Sequence, residues 1–164
     1  MRWLGRSTMI PMSFQARMRQ DRRGRGMRGI FLPDVPRYKT RSQAFDAAVI
    51  DAFEPILTRF KDELAAVDVA VDIVPRMRLE AGFRQWPDDV VAFGQVPVGR
   101  LVPAGVDHAG QPTRPRIIVF RRPIESRVTS RMELVDMLRY TLVRLVAVYL
   151  NVSPEVIDPA FSWD

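Results

Sequence analysis

An α+β domain is the fold class this sequence predicts. A long amphipathic helical stretch begins near residue 40 and another near residue 130. Between them lie short alternating or apolar segments that read as strands. Strands that follow one another between two helices do not make a βαβ alternation. The two main helices are therefore expected on one face of a small mixed sheet.

The first helix opens at Thr40. Gln43, three residues on, completes a capping box, in which each side chain bonds the other residue's backbone N–H. Phe45, Val49, Phe53, Ile56, Phe60 and Leu64 then recur every three or four residues as one apolar stripe. Pro55 falls inside this pattern. It lacks an N–H and its ring crowds the preceding turn, so a kink or a split near Phe53 is expected.

"VDVAVDIVP", residues 67–75, puts Val67, Val69, Val71 and Ile73 on one side and Asp68, Ala70 and Asp72 on the other, a half-buried strand. Residues 75–92 are punctuated by prolines and read as irregular. "VPVGRLVPAG" reads as a further strand pair or an edge strand, limited by Pro97 and Pro103. "VDHAGQPTRP", 106–115, is a loop by composition, and "RIIVFRRPI", 116–124, is a strong strand expected at the centre of the sheet.

Ser130 and Glu133 open the last long helix with a second capping box. Leu134, Leu138, Leu142, Leu145 and Tyr149 form its core stripe, flanked by Val135 and Val146. Asn151 suits a left-handed cap, because its short polar side chain tolerates positive φ. Ser153–Pro154 then starts a short final helix.

Composition bounds the chemistry. Hydrophobic residues make up 47% and charged residues 27% of the 164, too apolar for general disorder and enough for one domain. There is no cysteine, which removes disulfides, thiol nucleophiles and cysteine metal sites and fits a reducing cytoplasm. No apolar run approaches the roughly 20 residues that span a bilayer, so no membrane partner is expected. "MIPM" falls short of a secretory apolar region of about 7–15 residues.

Charge is unevenly placed. Residues 1–41 hold eleven Lys and Arg against two Asp, a balance of +9, so with +6 for the whole chain residues 42–164 carry −3. Residues 1–29 are Arg/Gly-rich without helical or strand period and are expected to be disordered when free, with the domain running from 30 to 164. Ile30, Phe31 and Leu32 are expected to strap onto its surface. Arg17, Arg19, Arg22, Arg23, Arg25 and Arg28 are the phosphate-binding candidates, toward RNA or the ribosome. A translation start at Met27 would leave most of that tail unmade.

Four stretches carry a resemblance: "LPDVPRYKTRSQAFDAAVIDAFEPI", "VDVAVDIVP", "VPVGRLVPAGVDHAGQPTRPRIIVFRRPIE" and "ELVDMLRYTLVRLVAVYLNVSPEVIDP". In order and spacing they resemble the small bacterial zincin-like metallopeptidases, a minimal zincin fold. That resemblance implies H-E-x-x-H-x-x-G-x-x-D on the last long helix. Two histidines one turn apart would hold zinc, and the glutamate between them would activate the bound water. With the glycine position on Asn151, the first histidine falls on Arg144, the glutamate on Leu145, the second histidine on Val148 and the third ligand on Pro154. Residues 134–154 contain no histidine. Arginine is cationic, and leucine, valine and proline have no side-chain donor. No metal or other cofactor is expected, and apolar residues at 145 and 148 are expected to close the cleft. The expectation is thus a protein without peptidase activity that binds a protein partner through the former cleft. That cleft is placed between the 116–124 strand and the 131–150 helix, lined by Trp86, Phe93 and Arg100. The alternative is a nucleic-acid or ribosome-associated protein that uses the basic tail.

The other candidates read more simply as surface. His108, the one histidine, sits in a Gly/Pro loop without catalytic partners. "GRGMRG" and "GQVPVGR" lack the context of a phosphate loop. Asp88–Asp89 beside Trp86 read as a polar turn, and Arg114, Arg116, Arg121 and Arg122 as solvated strand ends.

Overall fold

The computed structural model describes residues 3–4, 40–79, 82 and 85–161. The elements run β1 (Trp3–Leu4), α1 (Arg41–Arg59), β2 (Asp68–Asp72), β3 (Val90–Phe93), β4 (Val96–Val102), β5 (Gly105–Val106), β6 (Pro112–Thr113), β7 (Arg116–Phe120), α2 (Arg121–Glu125), α3 (Arg131–Leu150) and α4 (Pro154–Ile157). The expected α+β architecture is present.

The main sheet is mixed, in the order β1-β2-β7-β4-β3. β7 is its central strand, parallel to β2 (Val69 opposite Ile117) and antiparallel to β4 (Leu101 opposite Ile117). One short piece of the expected tail is ordered into it, since Trp3–Leu4 pairs in parallel with Val69–Ala70. The remaining tail residues and the Ile30–Leu32 strap lie outside the described residues. Strand register places Val69, Ile117, Val119, Gly99 and Leu101 on one face, and α1 and α3 cover it. The shared core contains Phe45, Val49, Phe53, Ile117, Val119, Leu138, Leu142 and Leu145.

α1 begins with the expected reciprocal box: Gln43 N–H donates to Thr40 Oγ1 at 3.2 Å and Thr40 N–H to Gln43 Oε1 at 3.0 Å. Pro55 does not split it. The carbonyl that Pro55 cannot bond belongs to Asp51, and both residues are exposed, so the lost bond falls on the solvent side of the helix, where it costs least. Phe60 and Leu64 continue the stripe from the turns after the helix. α4 is tied back to α1 by Arg59 Nη1, which donates to the Ile157 carbonyl at 3.3 Å.

Four expectations change. Within and beside the 106–115 stretch expected as a loop, β5 and β6 pair as a short antiparallel hairpin, Val106 opposite Pro112. Ile73, expected on the buried side of the 67–75 strand, lies past the end of β2 and is exposed, while Asp68 on the other side is buried. Residues 90–93 are a strand rather than irregular chain, and pairing with them makes β4 interior. The 116–124 strand ends at Phe120, where α2 begins. Pro123 falls in the first turn of α2, where a missing N–H forfeits no helical bond.

Close packing of α3 on the sheet depends on Gly99. A Cβ there would lie 2.6 Å from Thr141 Cγ2 and 2.9 Å from Leu145 Cδ1. β3 and β4 also slip register beside it: Val91 faces Gly99 while Ala92 faces Pro97, leaving Val98 as the extra residue of a bulge.

Candidate functional site

α3 owes its position to its ends. Ser130 Oγ accepts from Glu133 N–H at 3.1 Å, and Glu133 in turn takes Thr129 N–H at 2.6 Å rather than the N-cap's own N–H. These Thr129 bonds, backbone first and hydroxyl second, hold the Glu133 carboxyl below the usual range. At the other end Asn151 adopts φ 54, ψ 47, as its sequence position predicts. It is the sole non-glycine residue with positive φ among the described residues. Val152 N–H then reaches back to the Ala147 carbonyl at 3.0 Å, which closes the helix with a Schellman turn.

One side of α3 is open. Asp136, Tyr140, Arg144 and Val148 follow at intervals of four residues and so lie above one another. A cleft of about 540 Å³ runs along the first part of this face, between α3, Phe93 of β3 and Asp158 to Phe161 of the C-terminal segment. Tyr140 sits at its middle, its ring centroid 5.6 Å from those of both Phe93 and Phe161, tilted against the first and stacked on the second. Arg144 Nη1 donates to Tyr140 Oη at 3.0 Å, with the guanidinium 5.9 Å from the ring centre.

The carboxylate of Asp158 accepts from Arg139 and, at 3.0 Å, from Ala160 N–H. Burial pushes this carboxyl up, but the Arg139 and Ala160 bonds and the charges of Arg139 and Arg59 outweigh burial and leave it lowered.

The expected cleft is displaced. β7 is hydrogen-bonded on both sides, and Ile117 and Val119 on its helix face are buried, so no groove separates it from α3. The groove lies instead at the β3 side. Phe93 lines it; Trp86 and Arg100 do not. They line a second hollow of about 450 Å³ with Met77 and Arg78, where Arg100 Nε lies 3.5 Å from Asp89.

The four positions given by the resemblance split in two. Leu145 is fully buried against Gly99, whereas Arg144 and Val148 face out, Val148 with 38% of its surface exposed. The expectation that apolar residues close the cleft thus holds at Leu145 and fails at Val148, because the helix presents position 148 beyond the edge of the packed stripe. Pro154 is the first residue of α4. In this register the side chains do not fit a zinc ion: a guanidinium, two aliphatic chains and a proline ring supply no ligand atom. Glu155 is exposed, and Asp158 is already bonded to Arg139. Among the described residues no three His, Cys, Asp or Glu side chains gather into a metal-binding group.

Most of the remaining candidates are surface features, but Arg116 and Arg121, expected as solvated strand ends, are half-buried, with each Nε shielded from solvent. His108 is exposed in the turn between β5 and β6, which is tied by Ala109 and Gln111 N–H donating to Asp107 Oδ1 at 2.8 and 2.9 Å. Arg114 lies 3.7 Å from Asp68, and Arg121 lies 3.9 Å from Glu125, so neither is a free cation. Arg17, Arg19, Arg22, Arg23, Arg25 and Arg28 fall outside the described residues. Sequence reasoning missed Asp136 and Tyr140 as site residues, although their spacing to Arg144 was visible. It also missed Gly99, whose lone glycine inside a strand pattern is the sign of a close backbone approach.

A mixed sheet backed by two helices, with one open helix face beside an edge strand, is the frame of a small zincin-type domain. A family model described as zincin-like metallopeptidase matches residues 64–163, more than half of the chain, and the chain belongs to that family. Among curated proteins none matches its sequence. No helix among the described residues is long and apolar enough to cross a membrane.

Proposed function

We propose that this zincin-like domain has lost its metal site, has no peptidase activity and works as a cytoplasmic binding or scaffold module for a protein partner. One observation carries the reading. The turn expected of the motif glycine is made by Asn151, and counting back from it puts Arg144 and Val148, four residues apart, on the open face. The face that would present two histidines to zinc presents a cation and a methyl-bearing chain instead. A scaffold that keeps its cleft without the ligands retains binding surface and lacks the activated water on which zincin hydrolysis depends. The cytoplasmic assignment is supported by the absence of cysteine.

Metal analysis of the protein, purified without chelator and re-equilibrated with zinc, tests this directly. The expected result is zinc well below stoichiometric, with no zinc-dependent cleavage of a denatured protein substrate. Stoichiometric zinc together with chelator-sensitive cleavage would overturn it.

A second reading rests on charge. The +9 balance of residues 1–41 would suit phosphate contacts with RNA or the ribosome. It predicts nucleic acid that co-purifies at low salt and leaves at high salt, since each neutralised phosphate releases counterions. Retention of a protein partner through high salt, by the chain with or without residues 1–26, favours the first reading.

A further inference from the structure

Both attachments of the arginine-rich stretch lie at one end of the sheet. β1 runs parallel to β2 with Leu4 opposite Ala70, so the chain after Leu4 points toward the Asp72 end. β7 finishes at the same end, since Asp72 pairs with Phe120 and the Ile73 carbonyl accepts from Arg122 N–H at 3.0 Å. α1 starts there too. Burial pushes the Asp46 carboxyl up and the charge of Arg121 offsets part of that, so the first turns of α1 lie beside the start of α2. The connection from Leu4 to Thr40 is thus tethered at this end by both of its own ends. It holds nine Lys and Arg against two Asp, a balance of +7.

The described surface here adds cations. Arg41 is the first residue of α1, Arg76 lies four residues past Asp72, and Arg122 is in the first turn of α2. All three are exposed and make no ion pair among the described residues. The nearby acids answer them poorly. Glu125 lies 3.9 Å from Arg121, Asp46 is half-buried, and Asp72 Oδ1 accepts from Ile73 N–H at 2.7 Å. Residues 42–164 carry −3, so unpaired arginines are not the average of the domain surface. Cations of one sign gathered at one place raise the local concentration of a polyanion. Ile73 and Val74, each 46% exposed, set apolar surface beside them.

The kind of cation narrows the polyanion. Of the cations in 5–41, all but Lys39 are arginine. A guanidinium grips phosphate with two bonds and also stacks flat on an unpaired base, which an ammonium does not. Stacking is open to a single-stranded nucleic acid and not to a lipid headgroup.

We propose that this end of the domain binds single-stranded RNA, with Arg41, Arg76 and Arg122 on its phosphates and Ile73 and Val74 against its bases. This rests on the charge-based second reading and places part of the contact on the folded domain.

The test is fluorescence anisotropy of the full chain with a labelled oligouridine of about 20 nucleotides, over a range of salt concentrations. Binding should weaken steeply with salt, because each neutralised phosphate releases counterions. Arg41→Gln, Arg76→Gln and Arg122→Gln together should weaken it at least about tenfold at low salt. The dependence of log K on log salt should become shallower by about 2, from three contacts at about 0.7 each. Lys61→Gln, at an exposed position past the far end of α1, should change neither. All four positions are exposed, and circular dichroism checks the fold. RNA binding by the natural chain that the triple variant matches would overturn this surface and leave the second reading to the arginines of 5–39. No RNA binding by the natural chain at low salt would overturn both. Binding to phosphatidylserine–phosphatidylcholine vesicles as tight as to RNA, and equally weakened in the triple variant, would overturn the assignment to RNA.

Discussion

The two faces of α3 are made of the same helix and serve opposite ends. On one, Leu138, Thr141, Leu142, Leu145 and Val146 are fully buried, and Thr141 and Leu145 lie so close to β4 that only glycine fits at position 99. On the other, Asp136, Tyr140, Arg144 and Val148 stand in or beside an open cleft. The buried face holds the domain together; the open face is the one on which the proposed function rests. Residues on the open face can change their chemistry at little cost in stability, so the proposed exchange of metal donors for Arg144 and Val148 would leave the frame intact.

Substitutions at the buried face should give the largest effects. Leu145→Ala is expected to lose about 3 kcal/mol, since it removes apolar contacts and leaves a cavity. Gly99→Ala should cost about 1–3 kcal/mol by overpacking. Because the new methyl group meets Leu145 itself, the double variant should lose less than the sum of the two. Additive losses in chemical denaturation would show that the two residues do not share one contact.

The helix end comes next. Asn151→Ala is expected to cost about 1 kcal/mol, the strain of a Cβ in the left-handed region, while Asn151→Gly should cost nothing. An equal loss in both, measured by denaturant unfolding, would assign the role to the asparagine side chain instead of the backbone turn.

At the cleft rim, Asp158→Asn should lower stability by about 1 kcal/mol at neutral pH, given that Arg139 is half exposed. The folded carboxyl is lowered, so its contribution is present above the unfolded value of about 4 and disappears as pH falls through the folded value. The difference between native and variant should therefore shrink below about pH 4. A difference that persists there would mean packing rather than charge.

Arg144→Ala and Val148→Ala should be the mildest, within about 0.5 kcal/mol in thermal unfolding. A large loss at either would erase the contrast between the faces.

Much of this frame was legible in the sequence because its signals are local. The caps at Thr40, Ser130 and Asn151 and the periods of α1, β2 and α3 depend on residues a few places apart. The failures have two causes. Val90–Phe93 pairs with β4 across a two-residue turn in which Gly94 takes positive φ, a local signal that was available, but four residues are too few to show an alternation. Nothing before Pro123 in "RRPI" marks the change from strand to helix, and Pro123 reads as a helix start only once it is placed in a first turn. At the site, the resemblance supplied the positions 144, 145, 148 and 154, but which of them face outward follows from how α3 rolls against Gly99. Trp86 and Arg100 were assigned to the wrong hollow because the place in the sheet of β4, which carries Arg100, and of the chain before β3, which carries Trp86, is not a local property.

The most direct measurement is zinc affinity of the natural chain against two variants. One carries Arg144→His, Val148→His and Pro154→Asp; the other carries Met132→His and Asp136→His, a pair with the same spacing elsewhere on α3. If the motif register is right, the natural chain binds no zinc, and the first variant binds it at least about tenfold more tightly than the second, because a carboxylate from α4 completes the site. Equal affinity of the two variants, or tight zinc binding by the natural chain, would contradict the register and with it the loss of the metal site.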